Sequence, residues 1–143
     1  MKIAIGADHA GYLLKEIIIG YLNSLDYEVI DYGTNSEKSV DYPDIIHPLA
    51  NDVNNGKFEK AIIICGSGIG VSLVANRYPN VRAALCWNEE IVKLCRQHNN
   101  ANILTLPARF ISDLEAISFV DLFLSTEFEG GRHQNRIDKI NIK

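Results

Sequence analysis

The chain has 143 residues, of which 47% are hydrophobic, and its net charge at pH 7 is −4. This length and apolar content are typical of one compact domain, residues 1–143, with a real hydrophobic core. The acidic balance argues against nucleic acid or an acidic membrane as a partner, since either would require a basic face. Because no charged leader and no apolar run of bilayer length is present, we expect a cytoplasmic protein without membrane partners.

The cysteines are three in number, Cys65, Cys86 and Cys95, and no two of them form a CxxC pair. An odd count without that spacing indicates neither a disulfide framework nor a zinc site. We therefore expect reduced thiols, no bound metal and no cofactor.

The first third of the chain predicts a βαβ unit. An apolar strand at 2–7 and a polar turn at 8–11 precede a helix whose apolar stripe runs to residue 25, and a second strand follows at 28–32. Such crossovers are right-handed. After a polar loop at 34–42, the pattern predicts a helix capped by Asp44 that ends near residue 54.

The remaining elements alternate in the same way. Strands are predicted at 61–65, 81–86 and 102–106, and helices begin after the glycines that follow Cys65, at Asn88 and at Ser112. The last of these helices has more apolar surface than one sheet face needs, which predicts that a second subunit buries part of it. A short basic helix at 132–140 ends the chain. Five strands alternating with helices predict a Rossmann-like, three-layer α/β/α sandwich around a five-stranded parallel sheet.

Cys65 ends the third strand, and alternate glycines at 66, 68 and 70 open the next helix. Ligands bind at the carboxyl ends of parallel strands, where backbone N–H groups of a glycine loop favour a thiolate. The alternative is that Cys65 is a small buried hydrophobe, and the glycines favour the functional interpretation. The loop is not a P-loop, because the lysine that follows the last glycine of that motif is absent. Val71 stands where a GxGxxG fingerprint needs glycine and where a Cys-x5-Arg phosphatase loop needs arginine, so both of these motifs are excluded as well.

Histidines and arginines supply the other candidates. In a parallel sheet the loops at 8–9, 65–70 and 86–88 share one edge, so His9 could be functional or structural there, whereas His47, within a helix pattern, is interpreted as structural. Arg132 and Arg136 are four residues apart and form either an anion site or a solvated helix face. Together these groups suit a small phosphorylated substrate and either proton transfer or covalent thiol chemistry.

Several motifs resemble the type B ribose-5-phosphate isomerases along essentially the whole chain. The motifs are Asp8-His9-Ala10-Gly11, Val40-Asp41-Tyr42-Pro43-Asp44, Ile64-Cys65-Gly66-Ser67-Gly68-Ile69-Gly70, Arg96-Gln97-His98-Asn99 and Glu129-Gly130-Gly131-Arg132-His133. The resemblance implies metal-independent interconversion of ribose 5-phosphate and ribulose 5-phosphate through an enediolate. The alternatives are an allose-6-phosphate or galactose-6-phosphate isomerase on the same scaffold, or a non-catalytic module that binds a sugar phosphate.

The resemblance also implies a role for each matching residue. Cys65 would be the base, Ser67 and the backbone of the glycine loop would stabilise the enediolate, and His98 with Asp8 would open the sugar ring. The glycine-loop residues concerned are Gly66, Gly68, Ile69 and Gly70. Tyr42 and Asn99 would bind hydroxyl groups, and the phosphate would be bound by His9, Arg109, Arg132 and Arg136.

The same resemblance places the site at the interface of a homodimer, which could pair further into a tetramer. His98, Asn99 and Arg109 are expected from the neighbouring chain. Two positions depart from many relatives: Ser67 replaces a threonine and keeps its hydroxyl, and Asn100 replaces an aspartate, for which the sequence offers no interpretation.

Overall fold

A computed structural model describes residues 1–143. Five parallel strands form one sheet in the order β2-β1-β3-β5-β4, with β3 at its centre. Their bounds are Lys2–Ala7 (β1), Glu28–Asp31 (β2), Lys60–Cys65 (β3), Ala83–Leu85 (β4) and Ile103–Pro107 (β5). The central strands are nearly continuous apolar runs because both of their faces are covered by helices.

The chain has six helices, and the first five cover the two faces of the sheet. Their bounds are Tyr12–Ser24 (α1), Tyr42–Asn54 (α2), Ile69–Ala75 (α3), Glu89–Gln97 (α4), Asp113–Ser125 (α5) and Arg132–Ile137 (α6). Buried side chains of α1, α4 and α5 pack in one core, and those of α2 and α3 pack in the other. The predicted three-layer α/β/α sandwich with a parallel sheet is therefore confirmed. None of these helices combines the length and the apolar character needed to cross a membrane.

Helix starts follow the predicted capping chemistry at two of three places. Asn88 accepts a hydrogen bond from the Ile91 amide, and Ser112 forms a complete capping box with Glu115. The prediction for Asp44 is wrong, because α2 begins at Tyr42 and Asp41 occupies the N-cap position. Pro43 explains the earlier start, since proline fits the first turn of a helix, where its missing N–H costs nothing.

The apolar face of α5 is covered by its own chain. Phe119, Val120 and Phe123 are all buried in the core that α5 shares with α1 and α4. Only Leu114, at the start of α5, is a large and strongly exposed apolar residue, with 83% of its surface accessible. The sequence shows how apolar α5 is, but not that helices α1 and α4 of the same chain flank it on both sides. Burial of part of this helix by a second subunit stays a prediction.

Two truncations on α5 test this arrangement by urea unfolding. We expect Phe123→Ala to lower the free energy of unfolding by about 3–5 kcal/mol, because the ring is fully buried and leaves a cavity. Leu114→Ala is the matched control on the same helix and should change the free energy of unfolding by less than about 0.5 kcal/mol. A comparable loss in both variants would show that the outer face of α5 is buried after all.

Candidate active site

The sulfur of Cys65 accepts a hydrogen bond from a backbone amide at the end of β3. The N–H of Gly68 donates to Cys65 Sγ over 3.1 Å. Gly68 has a φ of +75°, in the left-handed region, and a Cβ at this position would collide with Cδ1 of Leu85. Glycine is therefore required for the backbone shape that brings the amide to the sulfur.

Among the other backbone amides of this loop, one is already hydrogen-bonded and three are free. The Ile69 N–H donates to Oγ of Ser67 over 3.2 Å, so it is already paired within the loop. The N–H groups of Gly66, Ser67 and Gly70 donate to no acceptor in the chain. Since these three residues line a cleft, their amides can stabilise an oxyanion bound there.

The cleft beside Cys65 has a volume of about 370 Å³ and collects most of the predicted site residues. Its lining includes Asp8, His9, Tyr42, Gly66, Ser67, Gly70 and Arg109. Phe110 also lines it, is 75% exposed and was not singled out from the sequence. Its position directly after Arg109 was the only available signal for it.

The residues after β1 present one acidic and one basic side chain to this cleft. Asp8 is buried, and its Oδ1 accepts hydrogen bonds from the amides of Ala10 and Gly11 over 3.0 and 3.2 Å. His9 Nδ1 accepts from the amide of Val40 over 3.2 Å. Because an amide can only donate, the ring proton of His9 lies on Nε2, which remains a donor for a bound anion.

Close packing fixes Tyr42 and Arg109 against the glycine loop. A Cβ on Gly70 would lie 2.7 Å from Cζ of Tyr42, and one on Gly66 would lie 3.0 Å from Cζ of Arg109. The Arg109 amide also donates to the carbonyl of Gly66 over 3.0 Å. Arg109 thus lines the cleft of its own chain, which corrects the expectation that a neighbouring chain supplies it.

The remaining predicted residues lie elsewhere in the chain. His98 caps the C-terminus of α4, and it lines a second cleft, of about 380 Å³, together with Asn99, Arg132, His133 and Arg136. The nine residues of α4 run about 14 Å from the carboxyl edge of the sheet toward its amino edge. One chain therefore cannot bring His98 to Cys65, and the predicted pairing of His98 with Asp8 does not occur within a single chain.

Two residues that line the second cleft, His98 and His133, form a cluster with Glu129 that was not identified from the sequence. The rings of His98 and His133 stack with centroids 4.3 Å apart and planes 13° apart, and Glu129 Oε1 lies 3.8 and 3.3 Å from their Nε2 atoms. These three side chains are of the types that ligate zinc, and their candidate ligand atoms lie within 4.8 Å of one another. The Glu129 to His133 spacing of four was the only local signal for the cluster.

The geometry of this cluster does not suit a cation. The in-plane lone pairs of the two stacked imidazole rings lie in two nearly parallel, separate planes, so they do not converge on one ion. Arg132 and Arg136 line the same cleft and repel a positive charge. The cleft is better suited to an anion, which Arg132 and Arg136 can bind with paired hydrogen bonds.

Asn100, uninterpreted from the sequence, now has a structural explanation. Its φ is +46°, in the left-handed region that asparagine tolerates better than most residues. Its Oδ1 accepts a hydrogen bond from Nη1 of Arg96 over 2.9 Å. Asn100 therefore shapes the turn that carries His98 and Asn99.

Comparisons with known proteins agree with this architecture. A family model described as Ribose/Galactose Isomerase matches residues 3–140. A probable ribose-5-phosphate isomerase B of Mycoplasma genitalium is 46% identical over 141 residues, covering 97% of this chain and 93% of that protein.

Two solved structures are also very similar. Ribose-5-phosphate isomerase B of Clostridium thermocellum superposes with a TM-score of 0.96 at 47% identity, covering 98% of this chain and 95% of that one. Ribose-5-phosphate isomerase B of Mycoplasma genitalium, solved with bound ribulose-5-phosphate, gives a TM-score of 0.93 at 45% identity and covers 97% and 93% of the two chains. The chain belongs to the ribose/galactose isomerase family.

Proposed function

We propose that residues 1–143 form one catalytic domain that interconverts ribose 5-phosphate and ribulose 5-phosphate. The observation that carries the proposal is the Gly68 N–H bonded to Cys65 Sγ in a cleft that also contains free amides, His9 and Arg109. The similar structure from Mycoplasma genitalium holds ribulose-5-phosphate, which supports a five-carbon substrate.

The reaction moves one proton between neighbouring carbons. The Cys65 thiolate removes the C2 proton of the open-chain aldose, and the electron pair of that bond forms the C1–C2 double bond of an enediolate as the C1 carbonyl oxygen becomes negative. The amides of Gly66 and Gly70, with the hydroxyl of Ser67, stabilise that oxygen. The proton returns at C1, and the C2 oxygen becomes the carbonyl of the ketose once its own proton has moved to the C1 oxygen. Base and charge stabilisation both come from the chain, so we propose a reaction that needs no metal.

We also propose that the complete site forms between two copies of the chain. His98, Asn99, Arg132 and Arg136 lie in a cleft that is separated from Cys65 by the length of α4. A second copy can bring that cleft to Cys65, where His98 with Asp8 opens the sugar ring and the arginines bind the phosphate with His9. Large exposed apolar side chains close to the Cys65 loop support an interface there, namely Leu13, Ile69, Leu73 and Phe110.

Removing the thiol tests the role of Cys65. We expect Cys65→Ala to lower kcat by about 10²–10⁴-fold, the usual contribution of a general base, while the Kd for ribose 5-phosphate changes little. Turnover is measured in a ribulose assay, and binding is measured by calorimetry. Cys86→Ala, which removes a buried core thiol, is the control and should retain kcat. Near-normal turnover in Cys65→Ala would remove Cys65 from the base role.

Mixing two inactive chains tests the shared site. A heterodimer of a Cys65→Ala chain and a His98→Ala chain has one site with both groups intact and one site with neither. A statistical mixture should therefore recover about a quarter of the normal activity, because half of its dimers are mixed and each has one working site. Refolding the two chains together and assaying ribulose measures this recovery. Activity no greater than that of the separate variants would place both groups in one chain.

A further inference from the structure

A third cleft lies at the amino edge of the sheet, away from Cys65. Its volume is about 580 Å³, and three cationic side chains line it, Lys60, Arg82 and Arg96. Lys60 is the first residue of β3 and Cys65 is the last, so the two ends of that strand are separated by about 16 Å. The cleft shares no lining residue with either of the clefts assigned to the proposed isomerase site.

The three cations have only neutral partners. Arg96 donates from Nε to the carbonyl of Thr126 over 3.1 Å and from Nη1 to Asn100 Oδ1 and the carbonyl of Ala101 over 2.9 and 2.7 Å. Arg82 Nε donates to the carbonyls of residues 99 and 100, and Lys60 Nζ donates to that of residue 124. No carboxylate oxygen lies within 4.0 Å of any of the three.

Several charged donors in the cleft remain unused. Neither terminal nitrogen of Arg82 donates a hydrogen bond within the chain, and Nη2 of Arg96 donates none. Burial lowers the pKa of Lys60, Arg82 and Arg96, and the nearby Arg96 charge lowers the pKa of Lys60 further. Partly buried, mutually repelling cations without a carboxylate at ion-pair distance are costly, and a bound anion would relieve that cost.

One carboxylate in the lining of this cleft would repel a bound anion. Glu59 lines the cleft. Burial and the charge of Arg96 lower the pKa of Lys60, and the charges of Glu59 and Glu127 raise it by a smaller amount. The lining therefore combines three cations with a single acidic side chain. Its remaining polar groups are amides, those of Asn54, Asn80, Asn100 and Asn102. The balance still favours a small anion.

We propose that the cleft formed by Lys60, Arg82 and Arg96 binds a small anion that carries phosphate groups with more than one negative charge. Guanidinium groups match phosphate oxygens with paired hydrogen bonds, and the volume falls in the range of ordinary ligand sites. The site is separate from the proposed isomerase site and does not depend on that function. The phosphate groups could belong to a free polyphosphate or to an organic diphosphate.

Calorimetry with inorganic pyrophosphate tests the site. The titrated chain carries Arg132→Gln and Arg136→Gln, which remove the two exposed guanidinium groups of the His98 cleft and so weaken phosphate binding at the proposed isomerase site. We expect one saturable site per chain, weakened about tenfold or more when Lys60→Met removes a charged donor. Lys57→Met is the matched control, since Lys57 is exposed, three residues away and outside the cleft, and it should leave the affinity unchanged.

A second variant should act in the opposite direction. Glu59→Gln removes the carboxylate from the lining and should tighten pyrophosphate binding, which a misfolded chain could not do. Adenosine 5′-diphosphate titrated into the same chain distinguishes the sources: equal affinity indicates free polyphosphate, and tighter binding indicates an organic diphosphate. Absence of saturable binding to the starting chain, or the same affinity in Lys60→Met, would overturn the proposal. Neither result depends on whether the chain isomerises a sugar phosphate.

Discussion

The hydrogen bond from the Gly68 amide to the Cys65 sulfur is the interaction on which the proposed chemistry depends. It forms because β3 ends at Cys65 and the chain then turns through a left-handed glycine into α3. That turn leaves the amides of Gly66 and Gly70 without acceptors, beside the same sulfur. The proposed base and the proposed oxyanion donors therefore come from one short segment of backbone.

The direction of α4 sets the second constraint. A helix that follows a parallel strand returns to the opposite edge of the sheet, so His98 at its end is carried away from the strand ends that surround Cys65. Arg109, by contrast, lies at the carboxyl edge of the sheet, beside Cys65, because it follows the carboxyl end of β5 by two residues. The topology thus divides the predicted residues into two groups, and pairing two chains is the simplest way to reunite them.

Much of the fold could be predicted because its signals are local. Alternation of apolar strands with amphipathic helices, and the Asn88 and Ser112 caps, identify the α/β/α sandwich and its order. The glycines after Cys65 likewise indicate where the cleft lies. The covering of α5 could not be predicted, since periodicity measures how apolar Phe119 and Phe123 make the helix but not which neighbours cover them.

The charged clusters were missed for a different reason. Residues 60, 82 and 96, like residues 98, 129 and 133, come from separate elements and meet only after the sheet has formed. Apart from the Glu129 to His133 spacing of four, no spacing along the chain indicates that these side chains lie close together. The resemblance to an isomerase family supplied the roles of His98 and Arg132, but it offered no account of Asn100, whose left-handed backbone and bond to Arg96 are visible only in three dimensions.

The most direct measurement is the kcat of Gly68→Ala for ribose 5-phosphate, compared with that of Gly20→Ala. A methyl group at Gly68 meets Leu85 and strains a left-handed backbone, so it should displace the amide from Cys65, whereas Gly20 has nothing within 4 Å. We predict a loss in kcat of about 10²–10³-fold for Gly68→Ala, as for the removal of one catalytic donor, and none for Gly20→Ala. A folded Gly68→Ala chain with unchanged kcat would contradict the central role of that hydrogen bond.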